Sequence, residues 1–136
     1  MHYAFQDRDY LYLNMDYLSG GDLRYHLCRK KKRFSENESK FFISSLLLSL
    51  EYLHANNVMH RDIKPENLVL DSNGYLYLTD LGIAKIYNKE KQIIDSSGTP
   101  GYMAPEVINN KNHDLSVDYF AIGVMGYEFM LGRVRF

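Results

Sequence analysis

Asp62, Lys64 and Asn67 follow one another at short spacing, and Asp80 comes after a strand-like stretch, a turn and a second strand-like stretch. A carboxylate such as Asp62 can orient a hydroxyl and take its proton, which is worth ~10²–10⁴ in rate. Lys64 offers a cation beside it. Asn67 and Asp80 each carry a hard oxygen of the kind Mg²⁺ prefers. Any one of these residues could be an ordinary turn or strand-end polar group, so the intervening segment decides their meaning. Leu68-Val69-Leu70 and Tyr75-Leu76-Tyr77-Leu78 flank Asp71-Ser72-Asn73-Gly74, a hairpin turn signal. Such a hairpin carries Asn67 and Asp80 at its two free ends, side by side.

The surrounding elements follow from capping and breaker residues. Residues 10–17 are aromatic and aliphatic enough for a strand, which Ser19-Gly20-Gly21 breaks. Asp22 opens a short helix to about Arg29, and a basic run, Arg29-Lys30-Lys31-Lys32-Arg33, follows. That run reads as a solvated helix end before it reads as a nuclear-targeting patch. Ser35-Glu36-Asn37-Glu38 is a capping box, predicting a long helix to about Ala55, where Asn56-Asn57 ends it. Residues 83–97 are polar, with mixed charges and no sustained period, as in a mobile surface segment. Ser116 is placed to cap a last helix reaching about Leu131. That helix is apolar nearly all round and is therefore expected to be buried nearly all round.

The 136 residues suffice for one domain core. Sixteen basic and seventeen acidic residues give a net charge of −1, which argues against generic binding to nucleic acid or a membrane surface. Cys28 is the single cysteine, so neither a disulfide framework nor a cysteine zinc site can form, and a reducing compartment fits. The longest apolar stretch, 41–50, is interrupted by three serines and is too short to span a bilayer. The first residues have no apolar core of a signal peptide. The expectation is an intracellular, cytoplasmic protein.

His60-Arg61-Asp62-Ile63-Lys64-Pro65-Glu66-Asn67, then Asp80-Leu81-Gly82, then Ala104-Pro105-Glu106 resemble, in that order, the catalytic half of the eukaryotic protein kinases. Ile63-Lys64-Pro65-Glu66-Asn67 and Gly98-Thr99-Pro100-Gly101-Tyr102 are similar to the serine/threonine branch. Gly20-Gly21-Asp22-Leu23-Arg24-Tyr25-His26-Leu27 resembles the AGC group, whose members are regulated by cyclic nucleotides and phospholipids. The resemblance implies a mainly α fold with small β elements (α+β), the large C-terminal lobe of a kinase. Residues 1–18 would be the end of the small lobe and the hinge, and residues 19–136 the large lobe through its central helix.

The same resemblance implies ATP and Mg²⁺ as cofactors and a protein substrate. Asp62 would be the base, Lys64 the residue that stabilises charge on the transferring phosphoryl group, and Thr99 a hydroxyl bonded to both. Asn67 and Asp80 would hold the metal. Met15 would stand at the back of the adenine pocket, Asp16 and Leu18 would present backbone groups to the base, and Leu23, Leu68 and Val69 would form its floor. Asp22, Glu66 and Glu128 match carboxylates that pair with arginines before the acceptor residue, by bidentate geometry. Arg61 would need an anion from the segment 83–97, and Asp95 stands where many kinases carry a phosphothreonine. Asp118 would hold the catalytic-loop backbone, and His60 would be a packed core residue. Two departures are Leu81 in place of the usual Phe and Phe120 in place of the usual Trp.

By the same alignment, Met1 falls inside the small lobe's fourth strand, and the glycine-rich loop, nucleotide lysine and its Glu partner have no counterpart among these residues. The stretch by itself is therefore expected to be weakly active or inactive. Two readings stand: a segment of an ATP-dependent serine/threonine kinase, or a non-catalytic kinase-like remnant acting as a binding module. Retention of Asp62, Lys64, Asn67 and Asp80 together favours the first.

Overall fold

A computed structural model describes residues 1–30 and 33–132. Lys31 and Lys32, the middle of the basic run, lie outside the described residues. The order of elements is β1 (Tyr3–Gln6), β2 (Leu11–Asn14), α1 (Leu23–Arg29), α2 (Glu36–Ala55), β3 (Val58–Met59), a 3-10 turn (Pro65–Asn67), β4 (Leu68–Leu70), β5 (Leu76–Leu78), β6 (Lys85–Ile86), α3 (Pro105–Ile108) and α4 (Ser116–Leu131). The strands form three antiparallel pairs, β1 with β2, β3 with β6 and β4 with β5. Helices thus dominate and the sheets are small, as the sequence implies.

Side-chain caps start the two helices next to the cleft. Asp22 accepts from the Tyr25 amide at 2.7 Å and opens α1. Ser35 and Glu38 exchange hydrogen bonds at the start of α2, the amide of Glu38 to the Ser35 hydroxyl at 3.3 Å and the amide of Ser35 to the Glu38 carboxylate at 2.9 Å. Leu23 and Leu27 of α1, Leu46 and Leu50 of α2, Ile63 of the loop after β3, Leu68 of β4, and Met125 and Phe129 of α4 form one core. Each large side chain removed from water there contributes about 1.5–3 kcal/mol. A second cluster, Met59, Ile93, Ala104, Val107 and Val117, lies beneath the segment that follows β6.

The hinge is fixed by backbone. Gly20 donates to the Leu70 carbonyl at 2.8 Å, and Leu70 donates to the Gly21 carbonyl at 2.9 Å. A Cβ at Gly20 would come within 2.5 Å of that Leu70 oxygen, so only glycine permits the approach. The β1–β2 hairpin rests on none of this core: every residue of both strands is exposed, and Phe5 and Tyr12 stack on each other at 5.0 Å.

Three expectations need correction. The strand expected over 10–17 is only Leu11–Asn14, because pairing with β1 ends at the Tyr3–Asn14 position. Ser116 is the first residue of α4 rather than its cap. Its amide donates to the Asp114 carboxylate at 2.8 Å, and the Asp118 amide, which a Ser116 cap would have served, donates to the Leu115 carbonyl at 3.3 Å. Helix α4 is buried on a broad face but not all round, since Tyr119, Gly123, Met130 and Leu131 are exposed. Among the described residues the packing comes from the α2, catalytic-loop and α3 side, and nothing there covers the opposite side.

Candidate active site

The loop between β3 and the 3-10 turn is pinned from below by a buried carboxylate. Asp118, on α4 and 1 % exposed, accepts from the backbone amides of His60 at 3.0 Å and Arg61 at 2.8 Å, and from the His54 ring at 2.8 Å. These bonds hold Arg61 at φ +71°, left-handed backbone that costs a non-glycine residue ~1–3 kcal/mol. The His60 ring lies between the loop and the end of β5: it accepts from the Asp62 amide at 3.2 Å and donates to the Thr79 carbonyl at 3.1 Å. Burial lowers its pKa, outweighing the Thr79 carbonyl and nearby carboxylates that favour the cation. It is a neutral strut.

With the loop so held, the reactive side chains converge. Lys64 Nζ lies 2.7 Å from Asp62 Oδ2 and donates to Thr99 Oγ1 at 2.8 Å. Thr99 in turn donates to Asp62 Oδ1 at 2.6 Å, and Asn67 Nδ2 donates to Asp62 Oδ2 at 3.1 Å. Burial pushes the Asp62 carboxyl up, but Lys64, Thr99 and Asn67 outweigh it and hold the group below the usual carboxylate range. Asp62 is therefore a weak base already ionised at neutral pH.

Asp80 reaches the same end of the cleft through the β4–β5 ladder. Leu68 pairs with Leu78, and one position outward the Thr79 amide donates to the Asn67 carbonyl at 2.9 Å. Asp80 follows directly, exposed, at φ +65°, with one carboxylate oxygen accepting from the Gly82 amide at 3.0 Å. The amide nitrogen of Asn67 is committed to Asp62, which turns its carbonyl oxygen away. No three His, Cys, Asp or Glu side chains gather to cage a metal among the described residues. One amide and one carboxylate oxygen instead fit Mg²⁺, which keeps waters and takes one or two side chains together with phosphate oxygens.

At the hinge Met15 is exposed and Leu18 half-buried, while the Asp16 carboxylate accepts from the His2 ring at 2.9 Å, leaving its backbone uncommitted to that bond. Leu23 and Leu68 are both 0 % exposed and lie in the core, and Val69 is half-buried beside them.

Two of the three substrate-side carboxylates, Glu66 and Glu128, are engaged within the chain by Arg24 of α1. Its Nε donates to Glu66 at 2.9 Å, and its Nη1 and Nη2 donate to Glu128 at 2.6 and 3.3 Å. Tyr102 completes the cluster, accepting from Arg24 and donating to Glu128, each at 2.5 Å. Burial opposes the Arg24 charge, but Glu128 and Glu66 prevail and hold the guanidinium more firmly protonated than usual. Asp22 is spent in part on capping α1.

Arg61 meets Asp95 as the sequence suggested, and Lys85 of β6 adds a second cation, Nζ to Oδ2 at 2.6 Å. Burial raises the Asp95 carboxyl, yet Lys85 and Arg61 hold it well below the ordinary range. Lys85, Arg24 and Tyr102 were missed by sequence reasoning. Their partners are distant in the chain, and no local pattern marks them. The one available hint was a charged residue, Arg24, set between Leu23 and Leu27 in a helix that buries both.

Comparison with known proteins agrees in direction. The protein kinase domain description matches residues 1–136. A probable serine/threonine-protein kinase of Dictyostelium discoideum is 45 % identical over all of this chain and 30 % of its own length. The serine/threonine-protein kinase sgk-1 of Caenorhabditis elegans is 43 % identical, over all of this chain and 29 % of its own. A putative ribosomal protein S6 kinase alpha-1 of the same nematode is 42 % identical, over all of this chain and 17 % of its own. The chain thus spans less than a third of the length of these relatives.

Proposed function

The chain belongs to the protein kinase family, and from that premise we propose that it supplies the catalytic centre of an ATP-dependent kinase acting on serine or threonine hydroxyls of protein substrates. The observation that carries this reading is the closed set of bonds joining Asp62, Lys64, Asn67 and Thr99. A set of this kind has no evident structural purpose on a loop that Asp118 already anchors.

Asp62 orients the acceptor hydroxyl. Because its pKa is depressed, it receives the proton late, as the hydroxyl oxygen becomes acidic in the transition state. Lys64 neutralises charge beside it and fixes the Asp62 rotamer. Thr99 ties the substrate-side segment to the base, so the loop and that segment must both be in place before the hydroxyl can be aligned. Asn67 and Asp80 would hold Mg²⁺, and bound MgATP would supply the phosphoryl group with its charge partly neutralised. The hinge residues Met15, Asp16 and Leu18 would receive the adenine above Val69. Asp95 would take the place of an activating phosphate on Arg61, with one negative charge where a phosphate brings about two.

Radiolabelled phosphotransfer to protein substrates by the full-length protein tests the proposal. Asp62→Asn should lower turnover ~10²–10⁴-fold. Turnover equal to wild type would overturn it.

A further inference from the structure

The carboxylates Glu66 and Glu128 are two of the three that the resemblance assigns to the substrate groove, and the chain engages both with its own cation. All three guanidinium nitrogens of Arg24 are committed, Nε to Glu66 and Nη1 and Nη2 to Glu128, with Nη2 also on Tyr102. Glu128 is 4 % exposed, and its two oxygens accept from Arg24 and Tyr102 together. A substrate arginine could reach Glu128 only by displacing Arg24, leaving a second guanidinium within a few ångströms, whereas the Glu66 side chain stays 44 % exposed. Bidentate Arg–carboxylate pairs are among the strongest charged hydrogen bonds, and this one is largely shielded from water. The geometry of α1 favours it further: the Asp22 cap fixes the first turn, and Leu23 and Leu27, both buried, clamp the helix on either side of Arg24.

We infer that Arg24 is a specificity-determining residue which occupies the arginine subsite of the substrate groove, so that this enzyme gains no affinity from arginines before the acceptor. The inference rests on the phosphotransferase reading above and narrows it to a substrate class. Removing Arg24 should uncover Glu128 and Glu66 and turn the groove toward basic segments.

The test uses the full-length protein and two serine peptides that differ only in carrying arginine or alanine at the two positions before the serine. Binding is read by fluorescence anisotropy without nucleotide, and phosphorylation is read separately. Wild type should bind the two peptides within about threefold of each other. Arg24→Ala should favour the arginine peptide about tenfold or more. Arg24→Gln, which removes the charge but keeps donors for the two glutamates, should shift the ratio the same way and guards against loss of folding in the first variant. A wild-type preference of tenfold or more for the arginine peptide would overturn the inference, as would an unchanged ratio in both folded variants. Normal binding ratios with no phosphorylation of any peptide or protein would leave the groove assignment standing and count against the phosphotransferase reading instead.

Discussion

Arg24 and Arg61 sit in two ion-pair clusters flanking one cleft, and they meet opposite needs. At Arg61 the buried member is the cation: its side chain is 8 % exposed, and the segment after β6 brings Asp95 to it, with Lys85 sharing the carboxylate. At Arg24 the buried member is the anion: the Glu128 side chain is 6 % exposed, and α1 brings the guanidinium to it. A buried charge left without any partner costs several kcal/mol, which is the position of Glu128 without Arg24, whereas Arg61 keeps a bond to the Ile83 carbonyl and shares a carboxylate that is 30 % exposed. The first cluster ties a long polar segment to the catalytic loop and can be made or broken by whatever moves that segment. The second joins α1, the 3-10 turn, Tyr102 and α4. On the proposed function the difference would separate regulation from selection: Asp95 would set whether the loop is aligned, and Arg24 what may lie beside it.

Removing the anchor beneath one cluster should produce the largest effect. Asp118→Ala strips the acceptor from two backbone amides, each costing about 1–3 kcal/mol when left unpaired. Thermal unfolding should report a loss of about 2–6 kcal/mol, with the Arg61 side failing first. Hydrogen exchange that stayed slow at His60 and Arg61 would contradict this account.

A smaller effect is expected on the other side. Tyr102→Phe deletes the hydroxyl that bridges Arg24 and Glu128 but leaves their direct pair. The expected cost is about 1.5–3 kcal/mol, the worth of hydrogen bonds to charged groups. Denaturant unfolding should show it at neutral pH. A neutral result would mean that the Arg24–Glu128 pair alone stabilises the cluster.

The smallest effect belongs to Asp95→Asn. The carboxylate is partly exposed and screened, so its contribution is about 1 kcal/mol or less. Its folded pKa is depressed, so the contribution is complete above the unfolded value of about 3.9 and fades as pH falls toward the folded one. The stability gap between wild type and variant should be constant from about pH 7 to 5 and begin to close below about pH 4, and the variant should turn over more slowly at neutral pH. A gap that widened on acidification would rule out the charge pairing as its source.

Much of this was legible in the residues themselves. Ser35 and Glu38 announced α2 because a capping box is satisfied within a single turn. Asp71-Ser72-Asn73-Gly74 announced the β4–β5 hairpin because the Asp71 side chain accepts from the amides of Asn73 and Tyr75 nearby, at 2.8 and 2.9 Å. That hairpin was enough to place Asn67 and Asp80 at neighbouring ends. The α4 cap misled because Ser116 and Asp114 are both good caps, and local chemistry does not rank them.

The sequence by itself determined which groups could do the chemistry and in which elements they stand, since capping, turn formation and strand pairing across a short hairpin are governed by near neighbours. Only the tertiary structure decided which charges meet. Arg24 finds Glu128 and Tyr102 across long stretches of chain because helix and loop packing brings them together. The same packing excludes water, and a charge out of water must be met by whichever opposite charge the fold delivers.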